Sequence, residues 1–391
     1  MNELLRQLPS VDRLLNEPAV QDLVAAHGHG HVVHVLRRVL DDMRAEIIAG
    51  KLAEAAPGVV GALLVERLQA ALRPSLRHAI NAAGIILHTG LGRALLPPAA
   101  VDAVHDTIRG YCTLATDLAR GRRMSRDEHY QDLLCALTGA EAATVVNNNA
   151  AATMLILNTL AQGREVIISR GQLVEIGGAF RMPEVMAMSG AIMREVGTTN
   201  KTHLRDYESA IGEHTGAIMR VHQSNYRILG FTAEPDIAEL AALGRRHSLP
   251  VVDDLGSGAL VDLRQFGLGP EPLVQESLQA GATVACFSGD KLVGGPQCGI
   301  ITGTREVVER LKRNPLARAL RIGKMTATAL EATLKLFLDP QTLCEKHPTY
   351  RMMSQPLDAL QRRAEAMLAA LSGAPAEAAA LSAQPGETEI G

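Results

Sequence analysis

A lysine and a serine lie in a glycine-rich connection between two short apolar runs, at residues 284–287 and 298–301. Both runs read as buried strands, which would place Lys291 at the mouth of a sheet. Burial lowers the pKa of a lysine and makes its amine a nucleophile toward carbonyl compounds. Ser288, three residues earlier, can offer its hydroxyl to a phosphate. The pattern favours pyridoxal phosphate bound to Lys291 as a Schiff base, and the alternative is a structural turn with an incidental lysine.

Apolar strand-like runs alternate with helical segments from residue 142 onward, which predicts a mostly parallel sheet with helices on both faces. We expect strands at residues 144–146, 166–168, 191–196, 217–221, 251–252 and 284–287. We expect helices at residues 150–160, 204–211 and 237–247. Ligands of such sheets bind at the carboxyl ends of the strands, so the residues that follow each run are the candidate site.

Two of these strand ends carry groups that suit the same cofactor. Asn148, Asn149 and Ala150 open an alanine-rich helix, whose free N–H groups and dipole can bind a phosphate. Asp253 and Asp254 follow another run and can pair with a protonated pyridine nitrogen, although aspartates at a strand end are often only a helix cap. A phosphate turn, a strand-end aspartate and then Ser-x-x-Lys is the order expected of an aminotransferase-like, fold type I pyridoxal phosphate enzyme.

Other polar and cationic side chains are candidates for binding an anionic substrate. Arg93 follows a glycine turn, and a solvated loop arginine is an equally open interpretation. Arg318 and Arg321 lie three residues apart in a basic segment, where we expect them to share one helix face, whether as ligands or solvated. His222 and Asn225 belong to an unusually polar cluster after the run at residues 217–221.

Composition excludes several classes of protein. The formal net charge is −3 over 391 residues, so any RNA contact must come from a local patch. Five widely spaced cysteines without a CxxC pair argue against a disulfide framework or a zinc site, and favour a reducing cytoplasm. No apolar segment is long enough to span a bilayer. We expect no metal site, because no carboxylate or cysteine completes the set formed by His27, His29, His31 and His34.

Leucines and valines at helical spacing predict a separate helical module at residues 1–72. We expect a cofactor-binding large domain at residues 73–310. The remaining segment, residues 311–391, would be an incomplete C-terminal small domain, because it ends in an Ala-, Pro- and Gly-rich stretch that reads as disordered from about residue 373.

The chain resembles the bacterial selenocysteine synthase family, the L-seryl-tRNA(Sec) selenium transferases, from Leu5 to about Leu338. The resemblance is carried by seven motifs, which are LRQLPSVDRLL, INAAGIILHTGLGRALL, TVVNNNAAAT, VHQSNYRILGFT, LPVVDDLGSGAL, FSGDKLVGGPQCGII and LARALRIGKMT. The N-terminal motif and the arginine-containing last motif would not both occur in an ordinary pyridoxal enzyme. The family normally continues past this C-terminus with a glycine-rich segment that completes the small domain.

The resemblance implies a cytoplasmic fold type I enzyme, assembled as a ring of dimers (a homodecamer), whose N-terminal domain grips the tRNA. Lys291 would carry the cofactor, with Asp290 beside it. Asp253 would be the preferred partner of the pyridine nitrogen, and Asp254 the second choice. The arginines that face the anion would be Arg93, Arg318 and Arg321.

The implied reaction converts L-seryl-tRNA(Sec) to L-selenocysteinyl-tRNA(Sec). Loss of the α-proton and of the β-hydroxyl gives an aminoacrylyl intermediate, to which selenium from selenophosphate adds, and Lys291 would carry the proton. One alternative is a related pyridoxal lyase or ammonia-lyase acting on a small amino acid or amino sugar acid. The other is a truncated, inactive tRNA-binding homologue.

Overall fold

The computed structural model describes residues 2–51, 59–177, 180–371, 384 and 386. The chain divides into two units, Met1–Ile80 and Asn81–Gly391. The domain limits expected at residues 72 and 310 stay predictions. The disordered tail expected from about residue 373 lies outside the described residues, except for positions 384 and 386.

The first unit is helical, as the spacing of its aliphatic residues predicts. Its helices are α1 (Asn2–Gln7), α2 (Val11–Leu15), α3 (Pro18–His27), α4 (His29–Ile48) and α5 (Val59–Leu72). The Ser10 hydroxyl accepts a hydrogen bond from the Arg13 N–H at 3.3 Å and so caps α2. Gly28, with a φ of +84°, ends α3 before α4 begins. Fully buried aliphatic side chains such as Leu14, Leu36 and Leu64 form the core of this unit.

The second unit is built on a seven-stranded sheet. The strands of the unit are β1 (Thr116–Asp117), β2 (Arg122–Arg123), β3 (Ala142–Val146), β4 (Glu165–Ser169), β5 (Glu175–Ile176), β6 (Phe180–Arg181), β7 (Ile192–Val196), β8 (Thr215–Val221), β9 (Val251–Gly256), β10 (Val284–Ser288) and β11 (Gly299–Gly303). The large sheet has the order β3-β11-β10-β9-β8-β4-β7, and only β11 runs against the others. The predicted, mostly parallel sheet is therefore confirmed.

Helices alternate with these strands and cover the sheet. They are α6 (Pro98–Ile108), α7 (Gln131–Thr138), α8 (Asn149–Ala161), α9 (Met182–Met188), α10 (Leu204–Ala210), α11 (Ile237–Arg246), α12 (Val274–Ala280), α13 (Arg305–Arg313), α14 (Pro315–Ala319), α15 (Lys324–Leu336), α16 (Leu343–Lys346), α17 (Pro348–Met353) and α18 (Leu357–Leu371). None of the helices in the described part of the chain has the length and apolar composition needed to cross a bilayer.

Alternate residues of β9 and β10 enter different cores, because successive side chains of a strand point to opposite faces of a sheet. Val252, Val284 and Cys286 pack with the side chains of α8. Ala285 and Phe287 pack instead with residues of α15 and α17. This alternation decides which polar side chains at the strand ends can meet.

Candidate active site

Lys291 lies in a tight turn directly after β10, at the carboxyl end of that strand, as the sequence predicts. Its carbonyl accepts a hydrogen bond from the Gly294 N–H at 2.9 Å. The Gly289 N–H donates to the Cys298 carbonyl, and the Gly295 N–H donates to the Gly289 carbonyl. The turn is therefore closed by backbone bonds on both sides of the lysine, which fixes where its side chain starts.

The Lys291 side chain is half-buried, and this burial lowers the pKa of its amine. The positive charge of Arg93 lowers the pKa further, while the carboxylates of Asp254, Asp290 and Glu271 act in the opposite direction. A lowered pKa increases the fraction of neutral amine, which is the nucleophilic form. The structure therefore gives Lys291 the property that the sequence pattern suggests.

Arg93 and Asp290 form an ion pair beside this lysine. Arg93 Nη1 donates to Asp290 Oδ2 at 2.8 Å, and the Asp290 side chain is only 9% exposed. Arg93 has a φ of +60°, and its N–H donates to the His88 carbonyl. The glycine turn before Arg93 and the glycine-rich turn that contains Lys291, which are separate motifs in the sequence, are thus joined by this ion pair.

Asp253 and Asp254 point to opposite faces of β9. Asp254 Oδ1 accepts from the Asn149 amide, and Asp254 Oδ2 accepts from the Thr153 hydroxyl, both at 2.8 Å. Asp253 accepts a hydrogen bond from Ser277 and pairs with Arg220 Nε at 3.0 Å. Burial raises the pKa of both carboxyl groups. Because Asp254 lies with the start of α8 and interacts with the Lys291 charge, the geometry favours it over Asp253, the reverse of the preference drawn from sequence.

The start of α8 is shaped to bind an anion. Asn148 caps the helix, since its side-chain oxygen accepts from the Ala151 N–H at 2.9 Å. The N–H groups of Asn149 and Ala150 have no partner within the helix and remain available to a ligand. A Cβ at Gly299 would lie 2.2 Å from the Asn148 carbonyl oxygen, so only glycine lets β11 approach this turn.

Ser288 reaches the same region through the sheet. It pairs with Gly299 across β10 and β11, and Gly299 pairs in turn with Val146 at the end of β3.

Thr153 is a site residue that the sequence analysis missed. It lies four positions after Asn149 on α8, and this helical spacing is the signal that would have identified it.

These residues fit pyridoxal phosphate. Helix N–H groups and the Ser288 hydroxyl suit its phosphate, and the buried Asp254 carboxylate suits a protonated ring nitrogen. Asn149 Oδ1 is buried without a hydrogen-bond partner among the described residues, as expected of an atom beside a ligand. The donor set therefore matches the cofactor group by group.

A second polar cluster is formed around Glu271, whose carboxylate acts electrostatically on Lys291. His222 Nε2 is 3.5 Å from Glu271 Oε2, and the Ser257 hydroxyl donates to the same oxygen at 3.3 Å. The backbone N–H of His222 donates to the backbone carbonyl of Asp254 at 2.8 Å. Glu271 was missed by the sequence analysis, because a single carboxylate in a proline-containing loop carries no pattern.

Asn225 does not join this cluster. Its amide donates to the Glu175 carbonyl at 2.9 Å, and the residue is exposed. The contact connects the loop after β8 to β5, so its role as a substrate ligand remains a prediction.

Arg318 and Arg321 form part of an arginine cluster. The expectation that they share one helix face is wrong, because α14 ends at Ala319 and Arg321 forms a β-bridge with Val146 instead. The Asn147 N–H donates to the Leu320 carbonyl, so this segment lies beside the turn that opens α8. Both arginines are exposed.

Arg126 is the third member of the cluster, and the sequence analysis did not single it out. Its Nη1 donates to the Ile322 carbonyl at 2.7 Å. Burial lowers the pKa of Arg126, and the positive charges of Arg321 and Arg318 lower it further. Arginines whose positive charges act on one another in this way are typical of a site for an anion.

Comparison with protein families gives two matches along the chain. Residues 79–391 match the family described as L-seryl-tRNA selenium transferase. Residues 5–44 match the family described as selenocysteine synthase N terminal. Together the two models cover both units.

Known proteins with similar sequences carry one name. The chain is 50% identical over 394 residues to the L-seryl-tRNA(Sec) selenium transferase of Solidesulfovibrio magneticus, covering 100% of this chain and 84% of that protein. It is 51% identical over 361 residues to that of Rhizobium meliloti, covering 92% of this chain and 77% of that protein. Among solved structures, D-glucosaminate-6-phosphate ammonia-lyase matches with a TM-score of 0.56 at 21% identity, covering 73% and 72% of the two chains. This last match shows a shared fold only.

Proposed function

The chain belongs to the L-seryl-tRNA selenium transferase family, and from this premise we propose that it converts L-seryl-tRNA(Sec) to L-selenocysteinyl-tRNA(Sec) with selenophosphate as the selenium donor. The observation that carries the proposal is identity of 50% along the entire chain. A reactive lysine alone would not suffice, because many pyridoxal phosphate enzymes with other substrates share one.

The cofactor is pyridoxal phosphate, which supplies an electron sink for the charge that develops at the seryl α-carbon. Lys291 would bind it covalently. Ser288 and the N–H groups of Asn149 and Ala150 would hold its phosphate, and Asp254 would keep its ring nitrogen protonated. Asn149 and Thr153 support this role, because their hydrogen bonds fix both oxygens of the Asp254 carboxylate.

Lys291 would also move the proton. The neutral form of its amine would accept the α-proton, and the lowered pKa increases the fraction of that form. Asp290 and Glu271 act electrostatically on the same amine, so they would stabilise the ammonium form that results. That form can then donate a proton to the departing β-hydroxyl.

The arginines would bind the anionic selenium donor. Guanidinium groups present forked donors that match phosphate oxygens, which ammonium groups do not. Arg318, Arg321 and Arg126 supply concentrated positive charge beside the start of α8, and Arg93 supplies it beside Lys291. His222 and Asn225 are the remaining candidates for substrate contacts.

We assign tRNA binding to the helical first unit, which matches the family described as selenocysteine synthase N terminal. We place the enzyme in the cytoplasm, where charged tRNA is found.

A ring of dimers is the assembly we propose. It is supported by Val101 and Ile108, which share one face of α6 and are 51% and 45% exposed.

A titration of the full chain with pyridoxal phosphate tests the function. We expect a visible absorbance band that changes when seryl-tRNA(Sec) is added and does not change with uncharged tRNA or free serine. With selenophosphate, labelled selenium should appear on the tRNA. A band that ignores the charged tRNA but responds to small amino acids would favour the lyase alternative. Absence of any band would contradict both enzymatic functions.

A further inference from the structure

The backbone immediately after Lys291 is held by two side chains from the C-terminal part of the chain. The Tyr350 hydroxyl donates to the Leu292 carbonyl at 2.8 Å. His347 Nε2 lies 3.1 Å from the Val293 carbonyl oxygen, which can only accept, so this nitrogen carries the hydrogen. Two consecutive carbonyls after the reactive lysine are thus bonded to residues 54 and 58 positions away.

His347 also packs directly against the turn itself. Gly294 has a φ of +62°, and a Cβ built on it would lie 2.0 Å from His347 Cε1. The glycine is therefore required both by its backbone conformation and by the imidazole ring beside it. The Gly294 N–H closes the turn by donating to the Lys291 carbonyl. The His347 imidazole therefore packs against the residue that makes this hydrogen bond.

An aromatic cluster fixes the orientation of the two donors. His347 and Tyr350 meet edge to face with ring centroids 5.1 Å apart, and Phe337 meets both rings at 5.8 and 5.7 Å. Phe266 contacts Tyr350 at 5.4 Å. The chain has only five Phe and five Tyr, so placing three of them under one turn is a marked concentration. Edge-to-face packing restricts ring rotation and aims both hydrogen bonds.

The Lys291 amine has no hydrogen-bond partner of its own in the part of the chain that the structure describes. Its position therefore depends on the turn from which its side chain extends. We propose that His347 and Tyr350 are positioning residues that hold the Lys291 turn, and through it the reactive amine, in its half-buried position. The inference rests on the proposed function only in treating Lys291 as the reactive lysine.

The burial of His347 is consistent with this role. The residue is fully buried, and the loss of hydration lowers the pKa of its imidazole to about 4. The ring is thus neutral near pH 7, with one N–H to donate and no charge to stabilise. A charged ring at this position would face the buried backbone of the turn without a carboxylate partner among the described residues.

The test measures the pKa of Lys291 in the cofactor-free chain by competitive acetylation at a series of pH values, read by mass spectrometry. The main variant is Tyr350→Phe, which removes one oxygen and keeps the ring. We expect the Lys291 pKa to rise toward its ordinary value by about half a unit or more, because a loosened turn exposes the amine to water. The matched control is Tyr207→Phe, which removes a hydroxyl buried equally in a different core and should leave the Lys291 pKa unchanged.

A second pair of variants separates the hydrogen bond from the volume of the ring. His347→Gln keeps an amide donor and should shift the Lys291 pKa less than His347→Leu, which keeps none. The proposal is overturned if Tyr350→Phe lowers the melting temperature but leaves the Lys291 pKa where it was, since that is the signature of a purely structural contact.

One further readout keeps the test decisive. If the variants do not fold, hydrogen exchange of the Gly294 N–H in the unaltered chain decides: slow exchange supports a turn held by His347 and Tyr350, and exchange as fast as that of an exposed loop overturns the proposal. Because the labelling uses neither cofactor nor tRNA, its result is independent of the proposed function. A chain that ignores seryl-tRNA(Sec) yet shows the Tyr350→Phe shift would contradict only the function.

Discussion

Arg93 donates to the carboxylate of Asp290 at 2.8 Å, so the residue immediately before Lys291 is held by an arginine 197 positions earlier. The pair brings one positive and one negative charge to the reactive lysine. Their effects on its pKa are opposite, because a neighbouring cation disfavours the ammonium form and a neighbouring anion favours it. The two partners can therefore be separated by measurement.

Charge removal at this pair should shift the Lys291 pKa in opposite directions. Arg93→Gln is expected to raise it, and Asp290→Asn is expected to lower it, by about half to one unit each. Competitive acetylation of the cofactor-free chain measures both shifts. Arg123→Gln, which removes an exposed arginine of β2, is the control. Shifts of the same sign for the two variants would contradict the assignment of the pair as an electrostatic unit around Lys291.

Loss of the lysine itself should abolish covalent cofactor binding. Lys291→Ala is expected to eliminate the visible absorbance of the lysine-bound cofactor, because no other amine is expected to form the Schiff base. Activity should fall by about a thousandfold or more, since the same residue would move the proton. Lys335→Ala, which removes an exposed lysine of α15, should retain the band. A visible band retained by Lys291→Ala would rule out this lysine as the attachment site.

Substitution of Asp254 should weaken cofactor binding, whereas substitution of Asp253 should reduce the stability of the fold. Asp254→Asn is expected to weaken cofactor affinity about ten- to a hundredfold, because the ring nitrogen loses a charged partner. Asp253→Asn is expected to cost about 3 kcal/mol of unfolding free energy, because Arg220 loses the charge that compensates it in a largely buried pair. Cofactor titration and urea unfolding of both variants distinguish the two. The reverse pattern would restore Asp253 as the partner of the ring nitrogen.

Much of this site was predictable because its residues occupy positions that strand–helix alternation defines. Asn149 and Lys291 each follow a strand of the sheet and Asp254 lies in the second half of β9, and parallel strands bring their carboxyl ends to one edge. The strands themselves could be identified because their apolar runs are short and each ends at a polar residue or a glycine.

The choice between Asp253 and Asp254 could not be made from the sequence. Neighbouring residues of a strand face opposite sides of the sheet, so the choice depends on which face α8 covers, and the local pattern does not state this. The position of Arg321 was mistaken for a related reason. A three-residue spacing is compatible with a helix, but the β-bridge to Val146 depends on a partner 175 positions away.

The burial of His347 should make the stability of the chain depend on acid. Its pKa is about 4 in the folded chain and 6.5 when unperturbed, so between these values the unfolded chain binds more protons. The unfolding free energy should therefore fall as the pH drops from about 6.5 to 4, by about 3 kcal/mol from this residue. His347→Phe should reduce this dependence, and His29→Ala, at an exposed position, should not. Urea unfolding at pH 7 and pH 4.5 measures how much unfolding free energy each chain loses between these two pH values. Equal losses for the parent and His347→Phe would contradict the prediction.

The arginine cluster predicts an anion site that can be tested without the full reaction. Arg126 donates a hydrogen bond to the Ile322 carbonyl, and the positive charges of Arg318 and Arg321 disfavour the positive charge of Arg126. An anion that bridges the three arginines would relieve their mutual repulsion. We expect inorganic phosphate to raise the melting temperature of the cofactor-free chain, and Arg126→Gln to weaken the phosphate affinity about tenfold. The effect should diminish at high salt, because added ions screen exposed charges. Arg123→Gln provides the matched loss of one exposed arginine outside the cluster and should bind phosphate as the parent does. If Arg126→Gln and Arg123→Gln bind phosphate equally, Arg126 has no part in the anion site, and only Arg93, Arg318 and Arg321 remain as candidates for it.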